Sequence, residues 1–222
     1  MAKLIVMEGT DASGKQTQSE LLYEYYKKQN TKVLRLCFPD YESESSSLVK
    51  MYLAGKFGGT ADSVDGKIAS IFYASDRYAS YKTKWEETVS DPDAVIIFDR
   101  YVTSNMIHQA AKVKDTTEKD AFLDWLFELE YGIFQLPQPD YVIFLKMPPE
   151  TAQELMKNRA NKITNEAEKD IHESDAEYLT ACYDNACYVA EKYDWTVIPC
   201  VTNGKLRSIE EIQEEIRKTV CN

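Results

Sequence analysis

The chain has 222 residues, 44% hydrophobic and 28% charged, which suits one compact domain spanning 1–222 with a sizeable core. Its net charge of −11 argues against nucleic acid or an anionic membrane surface as partner, and no run nears the roughly 18 apolar residues of a membrane span. Five scattered cysteines with no CxxC pair, and only two histidines, indicate reduced thiols in a cytoplasmic protein rather than a zinc site.

Short apolar runs alternate with helical patterns along the chain. Residues 4–7 read as a buried strand, and after a loop at 9–14 the stretch 15–29 has helical spacing, with Leu21, Leu22, Tyr25 and Tyr26 on one side. A second strand at 32–38 stops at Pro39; helices are expected over 47–53 and about 62–89. The turn Asp91-Pro92-Asp93 leads into the strongest strand, 94–98. Two helices come next, near 102–112 and 118–135, then Pro137 and Pro139 break the chain before a strand at 141–145. Pro148-Pro149 opens a helix, the polar stretch 160–172 lacks apolar periodicity, and a helix over 173–192 precedes a last strand at 195–201. Ser208 with Glu211 forms a capping box for the terminal helix. Buried strands separated by helices imply βαβ crossovers and a parallel sheet, here of five strands, with ligands at the strands' carboxyl ends.

After the first strand comes Gly9-Thr10-Asp11-Ala12-Ser13-Gly14-Lys15-Gln16-Thr17, nearly the pattern GxxxxGK[ST]. Such a loop turns successive backbone N–H groups toward one anion, and the helix after it adds the partial positive charge of its N-terminus. Lys15 is placed to reach the β- and γ-phosphates of a nucleotide. Gln16 stands where the pattern has a hydroxyl for a metal ion, so Thr17, one residue later, is the hydroxyl left for that task. Asp99-Arg100 comes directly after the strongest strand, where a carboxylate can meet a magnesium shell and a guanidinium can grip a phosphate with two bonds.

Residues 8–18, Phe38-Pro39, Phe72-Tyr73-Ala74-Ser75-Asp76-Arg77, and Asp99-Arg100-Tyr101 with Ser104 together resemble the thymidylate kinase family, in order and spacing, over essentially the whole chain. The resemblance implies a three-layer P-loop α/β fold with a five-stranded parallel sheet and a small lid. It implies ATP with Mg²⁺ and dTMP as ligands, γ-phosphoryl transfer, and a homodimer. By similarity Asp11 accepts from the 3′-hydroxyl of dTMP, Phe72 stacks on thymine beside Phe38, and Arg77 donates to a base carbonyl. Arg100 holds the acceptor phosphate and Asp99 the metal's waters. Ser104 and Gln109 line the base, and His108 crowds the 2′ side of the ribose. The lid falls at about 160–172, with Arg159 as its cation ahead of Lys162 and Lys169, and His172 and Glu173 toward the sugar. Two departures stand out: Phe38-Pro39-Asp40-Tyr41 lacks the arginine the family often carries there, and Lys146 replaces a common acidic residue. A kinase for another nucleoside monophosphate or a nucleoside, or a non-catalytic nucleotide-binding protein, stays open at this point.

Overall fold

In the computed structural model, which describes residues 1–160 and 176–221, the apolar runs become one parallel five-stranded sheet. The strands are β1 (Lys3–Glu8), β2 (Lys32–Cys37), β3 (Ala94–Asp99), β4 (Tyr141–Lys146) and β5 (Thr196–Pro199), in the order β2-β3-β1-β4-β5. Ile5, Val6 and Met7 of β1 and Ile96, Ile97 and Phe98 of β3 are fully buried, because both faces of the sheet are covered. That is why these strands read as unbroken apolar runs instead of an in–out alternation.

The twofold period of each strand divides its side chains between two cores. Ile5, Met7 and Ile97 pack on one face against Leu22 and Tyr26 of α1 (Lys15–Lys28) and Ile212, Ile216 and Val220 of α9 (Ile209–Val220). Leu4, Val6, Ile96 and Phe98 face the other side, toward Trp85, Tyr101 and Val102. There α5 (Val102–His108), α6 (Thr116–Phe127) and α8 (Ala176–Lys192) form the second helical layer. The shorter α2 (Ser47–Leu53), α3 (Gly66–Ser80), α4 (Glu86–Val89) and α7 (Pro149–Ala160) complete the set, and β6 (Val201–Thr202) pairs with β7 (Lys205–Leu206). α9 is tied to the start of the fold: Gln18 donates to the Ile209 carbonyl (3.1 Å) and Lys3 Nζ to the Val220 carbonyl (2.9 Å). The expected capping box is present, with Ser208 N donating to Glu211 Oε2 (2.8 Å) and Glu211 N to Ser208 Oγ (3.2 Å).

Four boundaries differ from expectation: the helix near 102–112 ends at His108 and is followed by a 3₁₀ turn, Ala110–Lys112. The helix expected over 62–89 is α3, a π-helical stretch Tyr81–Trp85, and α4; the one over 118–135 is α6 and then a π-helical stretch Glu128–Ile133. A π turn carries one extra residue and rotates the residues beyond it, which swings Trp85 onto Phe98 (ring centroids 5.2 Å apart) and Glu130 into the interior. The last strand stops at Pro199, and the β6–β7 hairpin turns through Asn203-Gly204, both with positive φ (52° and 71°). An Asn-Gly pair is the residue choice such a turn demands.

Register places the chemistry. Asp99 at the end of β3 lies opposite Met7 of β1 and Cys37 of β2, so the loops after β1, β2 and β3 leave the sheet together at its carboxyl end. Truncating the centre of this sheet should cost heavily. Ile97→Ala is expected to lower unfolding free energy by about 2–5 kcal/mol, read as a lower urea midpoint at unchanged slope.

Candidate active site

The loop between β1 and α1 is shaped by two glycines with different reasons to be there. At Gly9 (φ 154°) a Cβ would lie 2.5 Å from Ser13 Oγ and 2.9 Å from the Leu145 carbonyl oxygen, so steric room decides. At Gly14 (φ 87°) a Cβ would meet nothing within 4 Å, so left-handed backbone decides. Lys15 folds back over the loop and donates from Nζ to the Thr10 carbonyl (2.8 Å). Ser13 Oγ is buried with no hydrogen-bond partner among the described residues. Gln16 points outward and donates to Glu20 (3.1 Å), while Thr17 is half-buried.

Arg100 leaves β3 in a left-handed conformation (φ 69°), which costs a non-glycine residue roughly 1–3 kcal/mol and re-aims its side chain across the loop. Its Nη2 donates to Asp11 Oδ1 (2.8 Å) and its Nη1 to His108 Nε2 (3.0 Å). A guanidinium only donates, so His108 Nε2 must be the unprotonated nitrogen here. Asp99 is buried, with Arg35 Nη2 3.8 Å from its Oδ2. Glu8, at the end of β1 and fully buried, accepts from Thr103 Oγ1 and Ser104 Oγ (both 2.7 Å) through Oε1. Its Oε2 has no partner among the described residues.

Beside this network lies a cavity of about 180 Å³. Of the residues singled out from the sequence, Asp11, Phe38, Arg77, Arg100, Ser104, His108 and Gln109 line it. Phe72 does not: it packs against Tyr52 and Phe57 (ring centroids 6.5 and 5.6 Å), and Tyr73 lines the cavity instead. Adjacent helical residues point about 100° apart, and Tyr73, not Phe72, stands four residues before Arg77 on the same face. The spacing rule could have made this choice. Arg77 is almost wholly buried and is held by Glu130, which accepts from Nε (2.7 Å) and Nη2 (2.5 Å). Tyr41 and Asn105 also line the cavity, and neither was singled out from the sequence. Near Tyr41, where the family often carries an arginine, Lys50 donates to the Tyr41 carbonyl (3.1 Å) and Lys84 pairs with Asp40. Arg159 falls on the last turn of α7, but its side chain lies outside the described residues, as do Lys162, Lys169, His172 and Glu173.

Charge and burial compete at these groups. Burial alone would raise the Asp11 carboxyl, but the nearby charges of Arg100 and Lys15 outweigh it and bring it from 3.8 to about 2. Burial lowers the Lys15 ammonium, and Arg100 adds to this, against the pull of Asp11, Asp99 and Glu8; the result is about 8 in place of 10.5. Burial disfavours the Arg100 charge too, yet Asp11, Glu8 and Asp99 hold it firmly protonated. The arrangement offers Lys15 and the N-terminus of α1 for one polyanion, and the Arg100 guanidinium for a second anion, joined through the Asp11 carboxylate.

Comparison with known proteins identifies the family. A sequence model of the thymidylate kinase family matches residues 7–216. The chain is 33% identical over 175 residues to a thymidylate kinase of Mycobacterium tuberculosis, covering 78% of this chain and 79% of that protein. A thymidylate kinase of Plasmodium falciparum is 26% identical over 223 residues, covering 98% and 89%. A probable thymidylate kinase of Thermococcus onnurineus is 27% identical over 214 residues, covering 96% and 94%.

Two pH effects are expected. The lowered Asp11 carboxyl contributes stability that is complete above about pH 4 and lost as pH falls through about 2. Its size is at most roughly 2 kcal/mol, since 26% of the side chain stays exposed. Asp11→Asn should therefore flatten the fall in urea midpoint between pH 5 and 2. For Lys15, a bound triphosphate favours the charged form, so binding takes up a proton when pH exceeds about 8. Titration calorimetry should show ATP affinity falling above pH 8, up to about tenfold per pH unit, with no such slope in Lys15→Ala.

Proposed function

The chain belongs to the thymidylate kinase family, and from that membership we infer that it transfers the γ-phosphoryl group of ATP to dTMP, giving dTDP and ADP. The observation that carries the reading is the Asp11–Arg100 pair, which joins the phosphate loop to the neighbouring cavity. In-line transfer between phosphate oxygens needs no strong general base, and catalysis rests on alignment and charge. Lys15 and the loop amides hold the donor phosphates. Arg100 commits two of its five N–H donors to Asp11 and His108, and keeps the rest for the acceptor phosphate. Tyr73 in place of Phe72 offers a ring to the base, with Phe38 behind it. Asp11 faces the sugar, and Ser104, His108 and Gln109 close the cavity around it.

The residues present fit magnesium. Glu8 Oε2 is a buried oxygen without a partner among the described residues, Asp99 is a buried carboxylate and Thr17 a hydroxyl, an all-oxygen set suited to a hard cation. Among the described residues no three His, Cys, Asp or Glu side chains are grouped to bind a metal alone, so the ion would be shared with the triphosphate. Bound there, it would neutralise charge on the transferring group. Asp99 would hold its waters and Thr17 would stand in for the hydroxyl that Gln16 lacks.

A homodimer is supported by an apolar stripe on the outside of α3 and α2: Ile68, Ile71 and Tyr78 with Leu48 and Met51 are all exposed. A cytoplasmic setting is supported by the unpaired cysteines. No helix among the described residues is long and apolar enough to cross a membrane. Arg159 and the segment about 160–172 are proposed as the lid and its cation, on resemblance alone.

The decisive experiment is a coupled ADP-release assay with dTMP, dUMP, dGMP and thymidine as acceptors. ADP release should depend on dTMP and prefer it. Lys15→Ala should lower the rate by about 10²–10³-fold or more, while Gln16→Ala should change it only severalfold. ATP turnover indifferent to every nucleotide would sink the assignment.

A further inference from the structure

Glu130 sits 53 residues from Arg77 along the chain and reaches it because the π-helical stretch Glu128–Ile133 turns its side chain inward. It is fully buried, and both its oxygens are used: Oε2 accepts from Arg77 Nε, and Oε1 from Arg77 Nη2 and from Asn105 Nδ2 (3.1 Å). Asn105 is in turn anchored on the Ser70 carbonyl (3.2 Å). The fork therefore fixes two of the three guanidinium nitrogens. Nη1, the third, has no hydrogen bond to a described residue, and Arg77 is a wall of the cavity. Gln109 also lines the cavity, and its Oε1 is buried without a partner among the described residues. A fixed donor and an unmet acceptor thus line one cavity, where unpaired polar groups are costly.

We propose that Glu130 is a specificity-determining positioning residue: it locks Arg77 so that Nη1 and Gln109 Oε1 together select a base edge carrying a carbonyl beside a ring N–H. Thymine presents that edge. Cytosine presents the reverse, an amino group beside a bare ring nitrogen, and would leave both protein groups unpaired. This rests on the reading that the cavity holds a pyrimidine monophosphate. A neutral partner for Arg77 would keep part of the packing but not the fork, because an amide has one acceptor oxygen and a carboxylate has two. Selection would then loosen before the fold is lost.

The test compares wild type and Glu130→Gln by steady-state kinetics with dTMP and dCMP, and by equilibrium binding of dTMP. The variant should raise KM and Kd for dTMP about tenfold or more, leave KM for ATP within twofold, and narrow the dTMP-over-dCMP preference in kcat/KM by a similar factor. KM does not depend on the fraction of folded enzyme, so mere destabilisation would not produce this pattern. A lower melting temperature with unchanged KM and preference would overturn the proposal, as would equal rises in KM for dTMP and ATP. If Glu130→Gln is not recovered folded, Glu130→Asp decides by the same criteria, since it keeps the charge but shortens the reach. Failure of wild type to phosphorylate dTMP would instead strike at the functional reading itself.

Discussion

A guanidinium withdrawn from water must meet a carboxylate, and removing one partner of such a buried pair typically costs about 3–5 kcal/mol. This chain places two guanidinium groups on the wall of one cavity, and that constraint organises its surroundings. Arg100 is met by Asp11, a residue of the phosphate loop, which ties the loop to the end of β3. Arg77 is met by Glu130, which ties α3 to the segment after α6. Each match depends on unusual backbone: a left-handed residue in one case, a π turn in the other. The cavity is therefore held by its own charges, with donor groups set in place by the folded chain.

The same pairing resolves an apparent conflict between an acidic chain and anionic ligands. Arg77 and Arg100 line the cavity beside the loop that carries Lys15, while Glu130 holds Arg77, Asp11 holds Arg100, and Glu8 Oε1 accepts two short hydrogen bonds from α5. The net charge of −11 is a property of the whole surface; the site answers to a few groups and to backbone amides.

How much of this could be read from the sequence depends on the range of each interaction. The phosphate loop is local: nine consecutive residues carry its turn, its amides and its lysine, and they were legible. The sheet was legible because the central strands are buried on both faces. The β6–β7 hairpin was missed, although Asn203-Gly204 announces it locally. Tyr73 lines the cavity where Phe72 is expected, although the four-residue interval to Arg77 distinguishes them. Glu130 and Glu8 are another matter. Glu130 pairs across 53 residues through a π turn that no periodicity marks, and Glu8 is recruited by α5, 95 residues away. Arg159's side chain and residues 161–175 fall outside the described part, so the lid stands where the sequence left it.

The docking of α9 on the first helix carries a consequence for how the protein is made. Ile212, Ile216 and Val220 complete the core that backs β1 and α1, and the Val220 carbonyl receives Lys3 and Tyr26. During translation the chain emerges from its beginning at roughly 5–20 residues per second. The strand and helix that flank the phosphate loop are therefore synthesised well ahead of α9 and lack their covering layer until residues near 220 leave the ribosome. Until then the nascent chain carries an uncovered apolar face beside that loop, a natural point for chaperone attention.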